Sequence, residues 1–554
     1  MSFKSKMDQT DTGADDIGSI ESFVFGSNAP GASAGAAPSA LQAIESPSFA
    51  DFSALSAALP SATATTTTTK TTTTTAVTTT PSTTTSSGSS SVPAWIKSLS
   101  TASIATDMAA ADVNGSVTYA GLLKLFNDLD AKLGSTKLTA AEMADLKTIA
   151  ANLNNGVSTS SYLTYVTQAL VNGNAANATW TGGGASATAL GNLATGSSAT
   201  QLSELIGKWL TGTDLPTAKV SMSGSNFSVT YAASSKPLFA SSGPSMNDIN
   251  QGYLGDCYLL SSLAEVAKQN SADITSMFTS NGNNSYGVRF YVNGKAEYVT
   301  VNTSLADGGT IFNNGGSDIW ASLAEKAYAE LQASNLVTGN SINYGNSWST
   351  IGNGGAPEMA LEEITGASAI TDFAASGGSW AKVVYNQSFG VTGYTTGNAT
   401  SGVLSTLAAD LAADDDVVLS SYTNARDASG KITLVADHAM SIYGYDSKTA
   451  MLEVRNPWGT EAGQTWDTTF EVSLATLLSD RDTITVDNVG QAAKTASSAS
   501  GSVTTKVGSD AISLSAAASS FVQAIASLSG GSLASAGLSQ PSSATQSTLA
   551  SPLA

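Results

Sequence analysis

The chain carries one cysteine and one histidine, so chemistry that uses a thiol or an imidazole has a single address for each. Cys257 follows Gly255 and Asp256 and opens a segment in which Leu259, Leu260, Leu263 and Val266 share one helical face. Gly255 and Asp256 read as turn and N-cap, which places the thiol in the first turn of a helix. Unsatisfied backbone N–H groups and the helix dipole stabilise a thiolate there and lower its pKa. The competing reading is a packed core cysteine. His438 lies in a strand-like run from Val435 to Tyr443, and Leu452 to Asn456 reads as the next strand, with Asp446, Ser447 and Lys448 as the turn. A pairing symmetric about Ser447 sets His438 opposite Asn456, close enough for the carboxamide oxygen to accept the imidazole Nδ1–H. Nε2 is then left to exchange a proton with a thiol, the arrangement of a Cys–His–Asn hydrolase or acyltransferase. The competing reading of His438 is a satisfied structural histidine.

Composition limits what surrounds this trio. Charged residues make up 12% of the 554 positions, and 43 acids against 23 bases leave a formal charge of −20. Such a field repels phosphate backbones, so no nucleic-acid partner is expected. No apolar run is long enough to span a bilayer, and one cysteine cannot close an internal disulfide. The start of the chain is polar, without the basic and apolar regions of a secretory signal peptide. Residues 1–94 read as disordered, with a Thr/Ser-rich linker over 61–93 that has almost no large apolar side chain to offset ordering entropy.

Residues 95–212 read as mainly helical. Within them Asp112 and Asn114 precede Gly115 in what looks like the second half of a helix–loop–helix calcium site. Ala110 and Gly121 fall where that site needs carboxylates, so a cap and turn is the simpler reading. Residues 213–488 hold strand-like runs (YGVRFYV, AEYVTV, DVVLSSY, KITLVA, AMSIYGY, AMLEVRN) among helical patterns. This predicts an α+β fold, with a subdomain bearing the nucleophile helix over 213–345 and one bearing the His and Asn strands over 346–488. Residues 489–554 form a Ser/Ala-rich, base-poor tail that suits an export signal. Export without an N-terminal signal peptide is the expected location, cytoplasmic residence the alternative.

Four segments in order carry a family resemblance: Asp248-Ile-Asn-Gln251-Gly-Tyr-Leu-Gly-Asp-Cys257, Asp318-Ile-Trp320 through Tyr328, Asp437-His438-Ala-Met-Ser, and Arg455-Asn456-Pro-Trp458-Gly. Over residues 236–488 the chain resembles the calpain family of cysteine proteases, protease core only. The resemblance implies a papain-like fold of two subdomains with the site in the cleft. It makes Cys257 the nucleophile, His438 the general base and then acid, and Asn456 the orienting residue. Gln251 stands where the family's oxyanion-hole glutamine stands, and Trp458 where a tryptophan shields the His–Asn bond.

Asp248 and Asp318 match positions that supply calcium ligands in the animal enzymes. The loop after the fourth segment is short, and its Glu461 and Asp467 do not rebuild the family's spacing for a second site. Tyr258 replaces the family's usual tryptophan after the nucleophile. The expected activity is endopeptidase cleavage of protein or peptide substrates through a thioester. No cofactor is required for that chemistry; calcium is a possible addition. A catalytically silent scaffold, or a secreted surface or adhesion protein with a protease-like module, stays open beside it. A transglutaminase-type transfer fits less well, because its third residue is normally Asp.

Overall fold

The computed structural model describes residues 92–222, 225–334 and 343–493. The Thr-rich segment up to residue 91, and the tail beyond 493 with its reading as an export signal, lie outside the described residues.

The first part of the described chain is helical. Helices α1 (Ala102–Ala111), α2 (Tyr119–Leu133), α3 (Ala140–Asn152) and α4 (Ser161–Asn172) form two helix–loop–helix units. Thr118, Thr139 and Ser160 cap α2, α3 and α4 through their side-chain oxygens, and α3 has a complete capping box with Glu142. The two loops are tied together where Val117 N–H donates to Ser158 O (2.9 Å) and Ser158 N–H to Gly115 O (2.8 Å). Leu122, Leu125, Phe126, Leu146, Ile149, Val166 and Leu170 fill one core between the four helices. In the first loop, Asn114 and Gly115 both take positive φ, as a tight turn requires. Asp112 is its lone carboxylate, which is too few oxygens for calcium.

This helical part rests on an antiparallel sheet of β1 (Phe278–Ser280), β2 (Ser285–Val292) and β3 (Lys295–Asn302). Tyr162 Oη and Thr300 Oγ1 are 2.9 Å apart, and Thr300 Oγ1 also donates to Trp209 O at 2.6 Å. Tyr162 and Tyr165 stack on Tyr298 at centroid distances of 5.8 and 5.5 Å. Gly212 is obligatory at this seam. Its φ is +65°, and a Cβ there would lie 2.4 Å from the Val301 carbonyl carbon.

The other face of β1–β3 packs on α5 (Cys257–Gln269), α6 (Trp320–Leu331) and α7 (Pro357–Thr365). Leu259, Leu260, Leu263, Val266, Trp320, Leu323, Leu361 and Ile364 share one core with Val288, Phe290 and Val301. Every residue of α6 is buried. The second half is built on β4 (Ala369–Ser376), β5 (Ser379–Asn386), β6 (Val391–Asn398), β7 (Val417–Ser421), β8 (His438–Asp446), β9 (Met451–Arg455), β10 (Thr469–Val472) and β11 (Thr483–Val486). They make one antiparallel sheet in the order β6-β5-β4-β11-β7-β8-β9-β10. Its own core holds Phe373, Trp380, Leu419, Met440, Ile442, Leu452, Val454 and Ile484. The fold is α+β, two packed halves with α5 laid against β8.

Three sequence expectations change here. Residues 348–370 pack into the first core, so the change from one half to the other comes near residue 370, beyond the division drawn at 345/346. KITLVA is not a strand; it is a loop with two isolated bridges at Ile432, to Arg426 and Trp466, and it buries Leu434 and Val435. The β8–β9 turn is four residues long, Ser447–Ala450, with Ala450 at φ +58°. A bulge at Tyr443 follows, so Ser441 faces Arg455. The register is therefore two residues away from symmetry about Ser447.

Candidate active site

Cys257 begins α5, as its sequence context requires, but the capping differs from expectation. Asp256 occupies the N-cap position without a side-chain cap hydrogen bond. Its carboxyl group is fully buried and turns inward. There it accepts from Gln251 Nε2 (3.3 Å) and shares a hydrogen bond with Glu325 of α6. Burial, with the neighbouring Asp256 charge behind it, raises Glu325 well above the usual carboxylate range, so Glu325 carries the shared proton. Asp256 itself is pushed up to about 6 by burial, against the hydrogen bond from Glu325.

The thiol sits between the two halves. Ala439 N–H, one residue past His438, donates to Cys257 Sγ at 3.4 Å. Ser261 of α5 donates to Ala439 O (2.8 Å), and Ser441 of β8 donates back to Ser261 O (2.9 Å). This reciprocal lattice locks the first turns of α5 to the start of β8. Although Cys257 keeps some surface, burial of its thiol pushes the pKa up to about 11. The Ala439, Tyr258 and Cys257 N–H groups pull it down and the Asp256 charge pushes it further up. The helix-start effect predicted from sequence is thus present but outweighed by desolvation.

His438 and Asn456 meet, with His438 7% exposed and Asn456 fully buried. The nitrogen in contact is Nε2, 3.0 Å from Asn456 Oδ1, where the sequence reading had chosen Nδ1. His438 faces Ser421 of β7, and it reaches Asn456 along a diagonal of the sheet instead of head-on. Asn456 Oδ1 also accepts Trp458 N–H at 3.0 Å, which fixes the carboxamide. Trp458 covers the imidazole at 5.0 Å between centroids and is itself braced edge-on by Trp466 at 5.5 Å. Val435, Trp458 and Trp466 make a small apolar cap over this polar contact.

Gln251 is 3% exposed and six residues before Cys257, yet its amide N–H groups are used within its own loop. They donate to Leu254 O (2.8 Å) and Asp256 Oδ1 (3.3 Å), and Oε1 has no hydrogen-bond partner. Tyr258 is buried against Tyr328 (6.3 Å, edge-on). Gly355 lies flat on its ring, where a Cβ would come within 2.5 Å. The Gly355 loop is joined to the nucleophile loop by Gly255 N–H to Gly352 O (3.1 Å) and Gly354 N–H to Gly255 O (3.0 Å).

The two candidate calcium ligands lie together but are already engaged. Asp248 Oδ2 accepts from Ser245 N–H (2.8 Å) and Trp320 Nε1–H (2.9 Å). Asp318 Oδ2 accepts from Ala240 N–H (2.9 Å), while its Oδ1 is buried without a partner. Burial above all pushes Asp318 up to about 6, with Asp248 adding repulsion. Calcium takes six to eight oxygens, and among the described residues no three Asp, Glu, His or Cys side chains converge on a common point. The donor set does not fit that ion. In the second half, Asp467 is paired with Lys431 at 3.2 Å.

Glu325 is the functional neighbour that sequence reasoning missed. It stands inside the second of the four matched segments, but nothing in its spacing tells a buried acid from a solvated one.

Comparison with known proteins agrees with this geometry. Residues 225–474 match the profile of the calpain family cysteine proteases. Calpain clp-4 of Caenorhabditis elegans is 26% identical over 242 residues, covering 41% of this chain and 29% of that protein. Calpain clp-1 of the same organism is 27% identical over 247 residues, 42% of this chain and 27% of that protein. Calpain-type cysteine protease ADL1 of Oryza sativa subsp. japonica is 32% identical over 121 residues, 20% of this chain and 6% of that protein. The chain thus spans less than a third of the length of these relatives. Residues 225–474, which hold the buried His438–Asn456 pair and the thiol at the head of α5, are similar to the calpain family of cysteine proteases.

Proposed function

We propose that this chain is a cysteine endopeptidase that cleaves protein or peptide substrates through a Cys257–His438–Asn456 triad. The observation that carries the reading is the buried His438–Asn456 hydrogen bond, set one residue from the amide that contacts the Cys257 sulfur.

In this mechanism Cys257 Sγ attacks the scissile carbonyl carbon as its proton passes to the His438 imidazole. A thiol whose pKa is pushed up to about 11 gives its proton to His438 in concert with attack instead of waiting as a free thiolate. The resulting oxyanion is held by the Cys257 backbone N–H and the Gln251 amide, an interaction worth roughly 10²–10³ in rate. Gln251 enters that role by exchanging one of its two present acceptors for the substrate oxygen. Collapse expels the amine, which takes the proton from His438 and leaves a thioester on Cys257. Water then attacks the thioester, gives a proton to His438, and releases the acid and the thiol. Asn456 keeps the imidazole in plane, and Trp458 keeps water from their bond. Each step uses only the chain's own residues; calcium at Asp248 and Asp318 has no part in it.

A silent scaffold is the second reading, and the raised thiol is the observation in its favour. Hydrolysis of an unfolded protein substrate separates the two. The proposal expects turnover that Cys257→Ala abolishes and Asn456→Ala lowers by about tenfold or more. Equal turnover in wild type and Cys257→Ala would refute it.

A further inference from the structure

A buried cation lies where the Asp248–Gln251 segment meets the end of β9. Arg455, the last residue of β9, is 2% exposed. Its Nη2 donates to Ile249 O at 2.9 Å, across the junction between the halves, and the Asp248 carboxylate attracts its charge. Nε and Nη1 are buried without a hydrogen-bond partner. Such a group is costly to bury, and removing it leaves its neighbours uncompensated.

The contact is one of several joining the same two short segments. Gln251 N–H donates to Pro457 O at 2.8 Å. Gly459, at φ +66°, lies against Asn250 and Ile249, where a Cβ would come within 3.1 Å of three of their atoms. Residues 248–251 of the first half are therefore seated on residues 455–459 of the second. Cys257 follows the first segment by six residues, and Asn456 is inside the second. Anything that separates the segments also separates the nucleophile from the imidazole's partner.

We propose that Arg455 is a positioning residue that serves as a built-in cation, holding the Asp248–Gln251 segment to the Asn456 strand so that the cleft is aligned without calcium. The guanidinium supplies the positive charge beside Asp248, and its hydrogen bond supplies the direction. The catalytic consequence rests on the triad reading above; the alignment itself does not.

The test uses the full chain as wild type, Arg455→Met and Arg455→Lys, each with calcium and with a chelator. Hydrogen exchange is measured on peptides containing the Gln251 and Ala439 amides, two backbone N–H groups that cross the junction, with the β2–β3 peptides as an internal control. Labelling by an epoxysuccinyl thiol probe is recorded in parallel. In wild type both readouts are expected to be the same with calcium and with chelator. Arg455→Met should speed exchange at the two amides by about tenfold, with β2–β3 unchanged. It should also slow labelling by about a hundredfold, with Arg455→Lys between it and wild type. Calcium that slows wild-type exchange tenfold, or Arg455→Met that exchanges like wild type, overturns the proposal. If Arg455→Met loses the β2–β3 control as well, the calcium response of wild type and the Arg455→Lys exchange decide it. Absence of labelling in every sample would defeat the protease reading while leaving the exchange comparison to judge Arg455.

Discussion

Two carboxyl groups sharing one proton sit directly behind Cys257. Glu325 holds the proton, Asp256 holds the charge, and that charge raises the Cys257 thiol. Substituting Asp256→Asn removes the charge while keeping a group that can bond Glu325 and Gln251. The pH midpoint for alkylation of Cys257 by iodoacetamide is then expected to move to lower pH; an unchanged midpoint would take Asp256 out of the electrostatics of the site. Single-residue chemistry was the most legible level of this sequence, because one thiol and one imidazole leave no competitors. The protonation details were not legible. That His438 reaches Asn456 diagonally instead of head-on depends on a bulge at Tyr443 and a four-residue turn, and both alter register without altering the hydrophobic pattern. The direction of the thiol shift depends on desolvation, which spacing does not report.

At the scale of elements, α5 was readable from its apolar face, and β2, β3, β8 and β9 from dense β-branched and aromatic runs. β4, β5 and β6 were not readable. Ala369–Ser376 and Val391–Asn398 are rich in Ala, Ser, Thr and Gly, and β6 lies at the sheet edge with most side chains exposed, so period-two alternation is weak. KITLVA misled in the opposite sense. Its Leu434 and Val435 are buried beneath irregular chain, so β propensity there reports packing and not pairing. The helical region shows what its own pattern could not, that Tyr162, Tyr165 and Trp209 are anchors for β3. These contacts join the helical region to the back of the sheet that carries α5.

Over the whole molecule, buried carboxyl groups dominate the response to pH. Asp372 and Glu363 are each pushed up to about 8 and Glu362 to about 7, in every case chiefly by burial. The ordinary value in the unfolded chain is about 4. Between about 4 and about 8 the folded protein therefore binds more protons than the unfolded one, and stability falls as pH rises through that window. The formal charge of −20 adds repulsion in the same direction. The thermal midpoint is expected to be higher at pH 5 than at pH 8 by about 5 °C or more; a flat or rising midpoint would mean these acids are solvated.

If Cys257 is a nucleophile driven by His438, covalent labelling of the thiol must depend on both residues. Wild type, Cys257→Ala and His438→Ala would be exposed to an epoxysuccinyl thiol-protease probe and the modified residue located by peptide mass spectrometry. The account predicts one adduct on Cys257 in wild type, none in Cys257→Ala, and a rate about a hundredfold lower or less in His438→Ala. An adduct that forms equally fast without His438 would contradict it, since the thiol would then react without help from the imidazole.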